Sequence, residues 1–230
     1  MDNKTIIYTE KDYRSLKILQ ILSQEQIRNL MRKSTITRYH PKDIIFRQGL
    51  RTSHIMYVKS GLVKIYKEQH PDITVLLKFI SSEQFLGLST HFGSNDYNYS
   101  ASAITESEII CIDTAFFYEL LEDTFEFNKT ILNTICQENL YIFDKYLRQT
   151  YKHLPGRVAD VILYFSEEIY KSESFLFPVS RKELAEFAAT TTESFVRTLT
   201  EFRNDKIIDL NGTSITIKSL ELIKALSENG

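Results

Sequence analysis

The fold is decided by residues 179–202, VSRKELAEFAATTTESFVRTLTEF, in which two short helical patterns are separated by a run of threonines. Ser180, with Glu183 three residues later, predicts an N-terminal capping box, so a first helix begins at the next residue. Thr190 with Glu193 predicts a second capping box and a second helix, because threonine is poor inside a helix and good at its start. This segment is therefore predicted to be two short helices joined by a turn.

The second of these helices is predicted to have one buried face and one exposed face. Hydrophobic residues at steps of four and three mark the buried face: Phe195, Leu199 and Phe202. The opposite face carries polar and charged residues: Thr192, Glu193, Arg197, Thr200 and Arg203. Such a helix packs on a core and presents its polar face to a partner.

After the second helix, the hydrophobic pattern changes from helical to alternating over residues 207–217. Asn211 and Gly212 lie between the two alternating runs and predict a tight hairpin, because both tolerate the positive φ that such a turn requires. Two helices followed by a hairpin form the pattern of a winged helix-turn-helix. From periodicity alone, an ordinary small helical subdomain with a hairpin stays open as an alternative.

The composition is that of a globular protein large enough for two modest domains. The chain has 230 residues, of which 43% are hydrophobic and 25% charged, with few Gly and Pro residues. Its two cysteines, Cys111 and Cys136, lie far apart and without His or Cys at metal-binding spacing. We therefore expect neither a disulfide scaffold nor a metal site. The formal net charge of −2 gives no general support for nucleic-acid binding.

The first half of the chain is predicted to be a β-sandwich or barrel. Ser23 with Gln26 predicts a capping box and a helix over residues 24–32, whereas residues 1–22 are expected to form a leader that becomes helical. Short alternating runs bounded by turn residues then follow, and this spacing is typical of all-β domains. The predicted strands are residues 36–39, 43–47, 54–59, 61–67, 73–80, 98–105 and 108–112.

These motifs resemble one known family at both ends of the chain. The run SRKELAEFAATTTESFVRTL, residues 180–199, resembles the helix-turn-helix of the Crp/Fnr family of bacterial transcription regulators. The family's E-x-x-x-R falls on Glu193 and Arg197. PKDIIFRQG, residues 41–49, and YVKSGLVKIY, residues 57–66, resemble the opening of the family's β-roll sensor domain, in which glycines such as Gly49 and Gly61 close tight turns.

The resemblance implies an α+β protein with an N-terminal β-roll, or jelly-roll-like, sensor domain and a C-terminal winged helix-turn-helix domain, connected by a long dimerisation helix. We expect the sensor domain and its N-terminal helix at residues 1–124, the long helix at 125–153 and the DNA-binding domain at 154–230. Pro155 is expected in the first turn of the helix that opens the last domain, where its missing N–H costs nothing.

The long helix carries two hydrophobic stripes. One recurs at alternating steps of three and four and suits a parallel contact between two protomers, with Asn139 fixing the register: Leu132, Ile135, Asn139, Ile142 and Tyr146. The other stripe is expected to lie on the sensor domain: Leu140, Phe143 and Leu147. A helix buried within its own monomer stays open as an alternative, because periodicity does not say whose side chains fill a seam.

The recognition helix is expected to enter the DNA major groove with its N-terminal residues. Arg197 can donate two hydrogen bonds to guanine, and Glu193 can accept one from a cytosine amino group. Thr192 and Ser194 are secondary candidates for base contacts. Phosphate contacts are expected from two residues at the start of the first helix: Ser180 and Arg181.

Two positions in this motif depart from the family's usual pattern. Ala189 stands in the turn where the family usually has glycine, and Thr198 replaces a commonly hydrophobic residue. We therefore expect a slightly shifted turn.

The predicted effector site also departs from that of the cyclic-nucleotide-binding members. In those members, a Phe-Gly-Glu run supplies a glutamate for the ribose, and an Arg-Ser pair supplies an arginine for the cyclic phosphate. Leu88 and Tyr99 stand at these two positions here. A buried phosphate without its counter-charge is heavily penalised, so we expect no cyclic AMP binding. The residues of the candidate effector pocket are Phe85, Gly87, Leu88, Tyr99 and Ser100.

No other cofactor is expected. The iron–sulfur members of the family need four cysteines, and this chain has two. His91 and Cys111 are the candidate ligands for haem, but a single histidine in a polar loop is usually only solvated.

We therefore expect a dimeric, cytoplasmic regulator that binds double-stranded DNA and acts with RNA polymerase. The sequence shows no Ser-His-Asp arrangement, glycine-rich phosphate loop or metal cluster, which argues against an enzyme. It also has no segment that predicts export or membrane insertion. The remaining alternative is a sensor or scaffold whose β-roll binds a ligand or a protein while its charge-balanced C-terminal domain does not read DNA.

Overall fold

The computed structural model describes residues 9–14, 16–70 and 73–230. The first eight residues of the expected leader lie outside this description, as do Ser15 and two residues between predicted strands, Pro71 and Asp72.

The described chain begins with two short helices, α1 (Glu10–Arg14) and α2 (Gln24–Arg32), separated by a 3₁₀ turn over Lys17–Ile21. The predicted capping box of α2 is confirmed. The hydroxyl of Ser23 accepts a hydrogen bond from the N–H of Gln26 at 3.2 Å, and the N–H of Ser23 donates to the Gln26 side chain at 2.9 Å. Both interactions satisfy backbone N–H groups that would otherwise be unpaired at the start of the helix.

Eight strands follow and form two four-stranded sheets, in the orders β1-β8-β3-β6 and β2-β7-β4-β5. The strands are β1 (Ser34–Tyr39), β2 (Ile44–Phe46), β3 (His54–Ser60), β4 (Leu62–His70), β5 (Ile73–Ser81), β6 (Gln84–Leu86), β7 (Ser100–Ala103) and β8 (Ser107–Asp113). A short helix, α3 (Leu88–Gly93), lies between β6 and β7, and α4 (Thr114–Asp123) follows β8. The predicted β-roll is therefore confirmed, whereas β6 and α3 were not predicted.

The core of this β-roll is formed by the sheet β1-β8-β3-β6 and the helices around it. Tyr57 of β3 and Ile110 of β8 are cross-strand partners, and both are buried with Phe117 of α4 and Ile27 of α2. Gly61, between β3 and β4, has φ +98°, and a Cβ at this position would collide with the backbone of Glu106. Only glycine fits this turn, as the sequence predicted.

The long helix α5 (Phe125–Tyr151) ends two residues before its predicted end. It is followed by α6 (Leu154–Leu163), which continues as a π-helical segment over Tyr164–Tyr170. Pro155 occupies the first turn of α6, as predicted. The remaining elements are β9 (Ser174–Leu176), α7 (Arg181–Phe187), α8 (Thr192–Asn204), β10 (Ile208–Asn211), β11 (Ser214–Ile217) and α9 (Leu220–Asn229).

The predicted winged helix-turn-helix is confirmed, with one addition and two shifts of a single residue. The wing hairpin β10–β11 is joined by β9 into a sheet of order β10-β11-β9, and β9 was not predicted. Asn211 pairs with Ser214, so the turn consists of Gly212 and Thr213 rather than of Asn211 and Gly212. The cap of α8 is Thr191, not Thr190.

By its internal contacts, the chain divides into two compact units. One consists of Met1–Ile65 and Phe79–Glu138, and the other of Tyr66–Lys78 and Asn139–Gly230. Residues 66–70 of β4 and 73–78 of β5 therefore group with residues 139–151 of α5 and with the winged helix-turn-helix. The predicted limits at residues 124 and 153 stay a prediction.

Candidate nucleic-acid interface

Helix α8 is anchored by its hydrophobic face. Phe195 and Leu199 are fully buried and Phe202 nearly so, which confirms the predicted inward stripe. The helix begins at Thr192 because the side chain of Thr191 accepts a hydrogen bond from the N–H of Ser194 at 3.2 Å. Buried anchors and a cap at the N-terminus fix the direction in which the outer face points.

The outer face of α8 is free at the positions predicted to read bases. Thr192, Glu193 and Arg197 are exposed. Within the described part of the chain, the side chains of Glu193 and Arg197 have no hydrogen bond or ion pair, so they do not pair with each other although they lie four residues apart on the helix. Ser194 differs, since its hydroxyl accepts a hydrogen bond from Thr191 at 3.0 Å. An unpaired guanidinium on an exposed helix face can donate two parallel hydrogen bonds to one base.

The start of α7 carries the predicted capping box, which is confirmed. The hydroxyl of Ser180 donates to the Glu183 carboxylate at 2.7 Å and accepts from the Glu183 N–H at 3.3 Å. The N–H of Ser180 donates to the same carboxylate at 2.9 Å. Ser180 is exposed, but these internal bonds compete with a phosphate for its polar groups.

Arg181 is held by the wing. Its Nη2 donates to the carbonyl oxygen of Gly212 in the wing turn, and the guanidinium lies 5.2 Å from the centre of the Phe177 ring. Burial lowers the pKa of Arg181, and among the described residues its buried Nη1 has no hydrogen-bond partner. The neighbouring Lys182, which sequence reasoning did not single out, is exposed. Its position in the first turn of α7 was the available signal.

The turn between α7 and α8 keeps the backbone conformation expected of glycine although it contains Ala189, whose φ is +51°. The carbonyl oxygen of Ala188 accepts a hydrogen bond from Nε of Arg157 at 3.0 Å, and Nη1 of Arg157 donates to the carbonyl of Lys152 at 2.7 Å. Arg157 thus ties the turn to the start of α6. Ala189 therefore adopts the left-handed conformation that favours glycine, and the expected shift of the turn stays a prediction.

The candidate effector site is filled by aromatic side chains. The hydroxyl of Tyr99 makes hydrogen bonds with the side chains of Ser89 and Thr90 and with the backbone of Gly87, at the start of α3. Burial raises the pKa of Tyr99 and Glu138 of α5 adds to the effect, so the hydroxyl stays protonated. A neutral phenol therefore occupies the N-terminal end of this short helix.

The other predicted effector residues lie around this phenol or in the core. Gly87 has φ +79°, and a Cβ there would lie 3.0 Å from the ring of Tyr97. Tyr97 stacks on Phe46 with ring centres 3.7 Å apart. The hydroxyl of Ser100 accepts a hydrogen bond from the N–H of Gln48 at 3.0 Å. The side chains of Phe85 and Leu88 are buried in the hydrophobic core.

The two candidate haem ligands, His91 and Cys111, are buried. The expectation that His91 is solvated is therefore wrong. It lies in α3, where Nδ1 is 3.1 Å from the hydroxyl of Thr52 and the ring packs beside Phe92 and Tyr118. Burial lowers the pKa of His91 and raises the pKa of Cys111. Residues 9–14, 16–70 and 73–230 contain no group of three potential metal ligands.

Helix α5 exposes most of the predicted dimer seam. Leu132, Ile142 and Tyr146 are 58, 62 and 66% exposed, and Asn139 is also at the surface. The alternative in which this seam is buried in its own monomer is therefore wrong. Ile135 differs from the other members, because it is half-buried and packs against the core of the β-roll.

The second predicted stripe of α5 is not buried, because Leu140, Phe143 and Leu147 are all exposed. The expectation that this stripe is covered is therefore wrong. The two stripes together form a broad hydrophobic surface on one helix. No helix in the described part of the chain is long and hydrophobic enough to span a membrane.

Comparison with known proteins gives the same two parts. Residues 36–124 match the model of the cyclic nucleotide-binding domain, and residues 156–226 match the model of the Crp-like helix-turn-helix domain. The transcriptional activatory protein AadR of Rhodopseudomonas palustris is 21% identical over 175 residues, which cover 74% of this chain and 72% of AadR.

Two solved structures have the same fold. FixK2 from Bradyrhizobium japonicum superposes on this chain with a TM-score of 0.77 at 17% identity. The match covers 84% of this chain and 96% of FixK2. CLP from Xanthomonas campestris, described as a c-di-GMP responsive global regulator, superposes with a TM-score of 0.70 at 21% identity. That match covers 86% of this chain and all of CLP.

Proposed function

This chain belongs to the Crp/Fnr family of DNA-binding transcription regulators, and on that premise we propose that it reads a two-fold symmetric DNA site as a homodimer, without cyclic AMP. The observation that carries the proposal is the exposed outer face of α8, on which Glu193 and Arg197 are free while the opposite face is buried. Helices of this kind insert into the major groove and read base edges.

Arg197 is the main base-reading residue in this proposal. Its guanidinium donates to O6 and N7 of a guanine. Glu193, which lies on the same face of α8, accepts a hydrogen bond from a cytosine amino group. Thr192, at the first position of the helix, is the next candidate. Ser194 contributes less, because its hydroxyl is already bonded to Thr191.

The phosphate contacts come from the start of α7. Lys182 in the first turn of α7 is exposed, and the positive end of the helix dipole favours an anion there. Ser180 and Arg181 were predicted to take this role. We assign Arg181 to the wing instead, because its guanidinium is bonded to Gly212.

The sensor site supports a regulator that does not take cyclic AMP. The hydroxyl of Tyr99 already uses the polar groups of Gly87, Ser89 and Thr90, and Tyr99 itself stands where the cyclic-nucleotide-binding members have the arginine that balances the phosphate. Calorimetric titration with cyclic AMP is expected to give no heat of binding. Micromolar affinity would contradict this part of the proposal.

The experiment that tests DNA reading is the selection of genome fragments by the purified protein, followed by affinity measurements on the enriched site. We expect enrichment of a two-fold symmetric sequence. Arg197→Ala should then cost about 1–3 kcal/mol on that site and relax the preference at one base pair. Arg203→Ala is the matched control, because Arg203 is also exposed on α8 but lies in its last turn. An equal loss on random DNA would contradict base reading.

The alternative function is a sensor or scaffold that does not read DNA. The net charge of −2 favours it, since phosphate neutralisation supplies most non-specific affinity for DNA. Absence of enrichment at low salt would support this alternative. For the DNA-reading protein, we also propose a cytoplasmic location, RNA polymerase as a partner and no enzymatic activity.

A further inference from the structure

Lys145 of α5 joins three elements of one compact unit. Its ammonium group donates hydrogen bonds to the main-chain carbonyls of Leu77 at 2.7 Å and Leu76 at 3.3 Å, in the middle of β5. The same group lies 3.9 Å from the centre of the Phe187 ring in α7. One side chain therefore connects the middle of β5, the long helix and the first helix of the helix-turn-helix.

This position is costly for a lysine. Burial lowers the pKa of Lys145 to about 7, because the surroundings disfavour the charged form. Two carbonyl oxygens and the face of an aromatic ring are the groups that stabilise a buried ammonium. A leucine or methionine would fill the same space without the desolvation cost, but it would form neither of these directional contacts.

A second chain of contacts runs parallel to the first. The ammonium group of Lys78 in β5 lies 4.8 Å from the ring centre of Tyr141 in α5. The ring of Tyr141 is 6.5 Å from that of Tyr164, which is 5.1 Å from that of Phe187. Both chains of contacts end at Phe187, in the last turn of α7.

Phe187 lies next to the turn that sets the direction of the recognition helix. The N–H of Thr190 in this turn donates to the carbonyl of Ala185 in α7 at 2.9 Å, and α8 begins two residues later. A group that fixes the end of α7 therefore also fixes α8.

We propose that Lys145 is a positioning residue that holds the helix-turn-helix in one orientation on α5 and on the middle of β5. The inference rests on the proposed DNA-reading function and deepens it by naming the contact that sets the direction of the recognition helix. In a dimer formed through α5, this orientation determines the distance between the two recognition helices, ideally about 34 Å, or one turn of DNA. Lys145 would thereby determine which half-site spacing is preferred.

The test compares Lys145→Met with the wild type and with Lys129→Met, a matched control at an exposed position of the same helix. Methionine keeps most of the side-chain volume and removes the donors and the charge. The DNA probes carry the selected half-sites at the preferred spacing and at spacings one base pair shorter and longer. We expect Lys145→Met to reduce the preference for the correct spacing by about three- to tenfold, from loss of the cation–π contact, and Lys129→Met to keep it.

Phe187→Leu is the second variant, because it removes the ring and keeps the ammonium group. We expect the same loss of spacing preference. Wild-type spacing preference in both folded variants would overturn the inference, since a side chain that serves only stability would lower affinity equally at every spacing.

Hydrogen exchange on the free full-length protein separates this inference from the proposed function. We expect Lys145→Met to increase exchange in α7 and in the middle of β5, and Lys129→Met to leave both unchanged. If the wild type selects no DNA site, the proposed function fails and this exchange result alone decides the role of Lys145. Wild-type exchange in Lys145→Met would then overturn it.

Discussion

Ala189 pays a conformational cost in the turn that positions the recognition helix. Its φ of +51° lies in the left-handed region, which costs a residue with a Cβ roughly 1–2 kcal/mol. Glycine removes this cost but loses about 0.4–1 kcal/mol through the greater freedom of the unfolded chain. We expect Ala189→Gly to raise the free energy of unfolding by up to about 1 kcal/mol in urea denaturation, without changing DNA affinity.

Ala188→Gly is the matched control for this substitution. The φ of Ala188 is −82°, so glycine relieves no strain there and should destabilise the protein. If Ala189→Gly destabilised the protein as much as Ala188→Gly, the strain assigned to Ala189 would be absent.

Lys145 gives the stability of the protein a defined pH dependence. Its pKa is lowered to about 7 in the folded chain and returns to that of an ordinary lysine on unfolding. Above pH 7 the unfolded chain binds more protons at this residue than the folded one, so stability rises with pH until the unfolded lysine also titrates. Relative to Lys145→Met, we expect the wild type to gain about 2–3 kcal/mol between about pH 6 and pH 9 in denaturant unfolding. A difference that is constant with pH would show that Lys145 keeps an ordinary pKa.

At the scale of elements, the two neighbouring cations at the start of α7, Arg181 and Lys182, have different roles. Lys182 is exposed, and its loss should remove one phosphate contact. We therefore expect Lys182→Gln to reduce the slope of log affinity against log salt by about 1. Arg181 is bonded to Gly212, and the wing turn between Asn211 and Ser214 carries no cation. Arg181→Gln should therefore weaken binding by about 1 kcal/mol, through release of the wing, while the salt slope stays unchanged.

These two variants control each other, because each removes one positive charge from the same turn of α7. Fluorescence anisotropy at several salt concentrations measures both quantities. A lower salt slope for Arg181→Gln would mean that Arg181 itself contacts a phosphate, as the sequence suggested.

Sequence patterns predicted the long elements and missed the short ones. The stripe of Phe195, Leu199 and Phe202 extends over two turns, so its period identifies α8. The three-residue strands β6 and β9 were missed because three residues show too little alternation, whereas β2, of the same length, was found through its resemblance to the family motif at residues 41–49. The cap of α8 was misplaced by one residue because Thr190 and Thr191 can both cap a helix. The wing turn was misplaced by one residue because Asn211, next to Gly212, is also a common turn residue.

The candidate site was predictable only where residue type and helical spacing decide the position of a side chain. The exposed positions of Glu193 and Arg197 follow from helical spacing, because the opposite face is hydrophobic. The bond between Arg181 and Gly212 depends on how the wing folds back over α7, and no local pattern contains that information. The same holds for the bonds of Tyr99 to Ser89 and Thr90, since the loop between α3 and β7 has no period.

At the scale of the whole molecule, affinity for DNA should depend on two-fold geometry more than on charge. Because the whole chain has a net charge of −2, one protomer attracts phosphate only weakly. Two domains held in one dimer gain a second contact at high effective concentration, which can raise the overall affinity by about 10²–10⁴-fold. The dimer contact is therefore expected to be as important for binding as any base-reading residue.

The exposed hydrophobic surface of α5 makes this expectation testable with Ile142→Glu. Ile142 is 62% exposed in the single chain, so the substitution should leave the fold stable, whereas in a dimer it would bury two carboxylates at one seam. We expect monomers in sedimentation velocity at micromolar concentration, and a loss of at least about a hundredfold in affinity for the symmetric site. Gln137→Glu adds the same charge at an exposed position on another face of α5 and should keep both properties. A dimeric Ile142→Glu variant with wild-type affinity would show that the protomers do not meet at this seam.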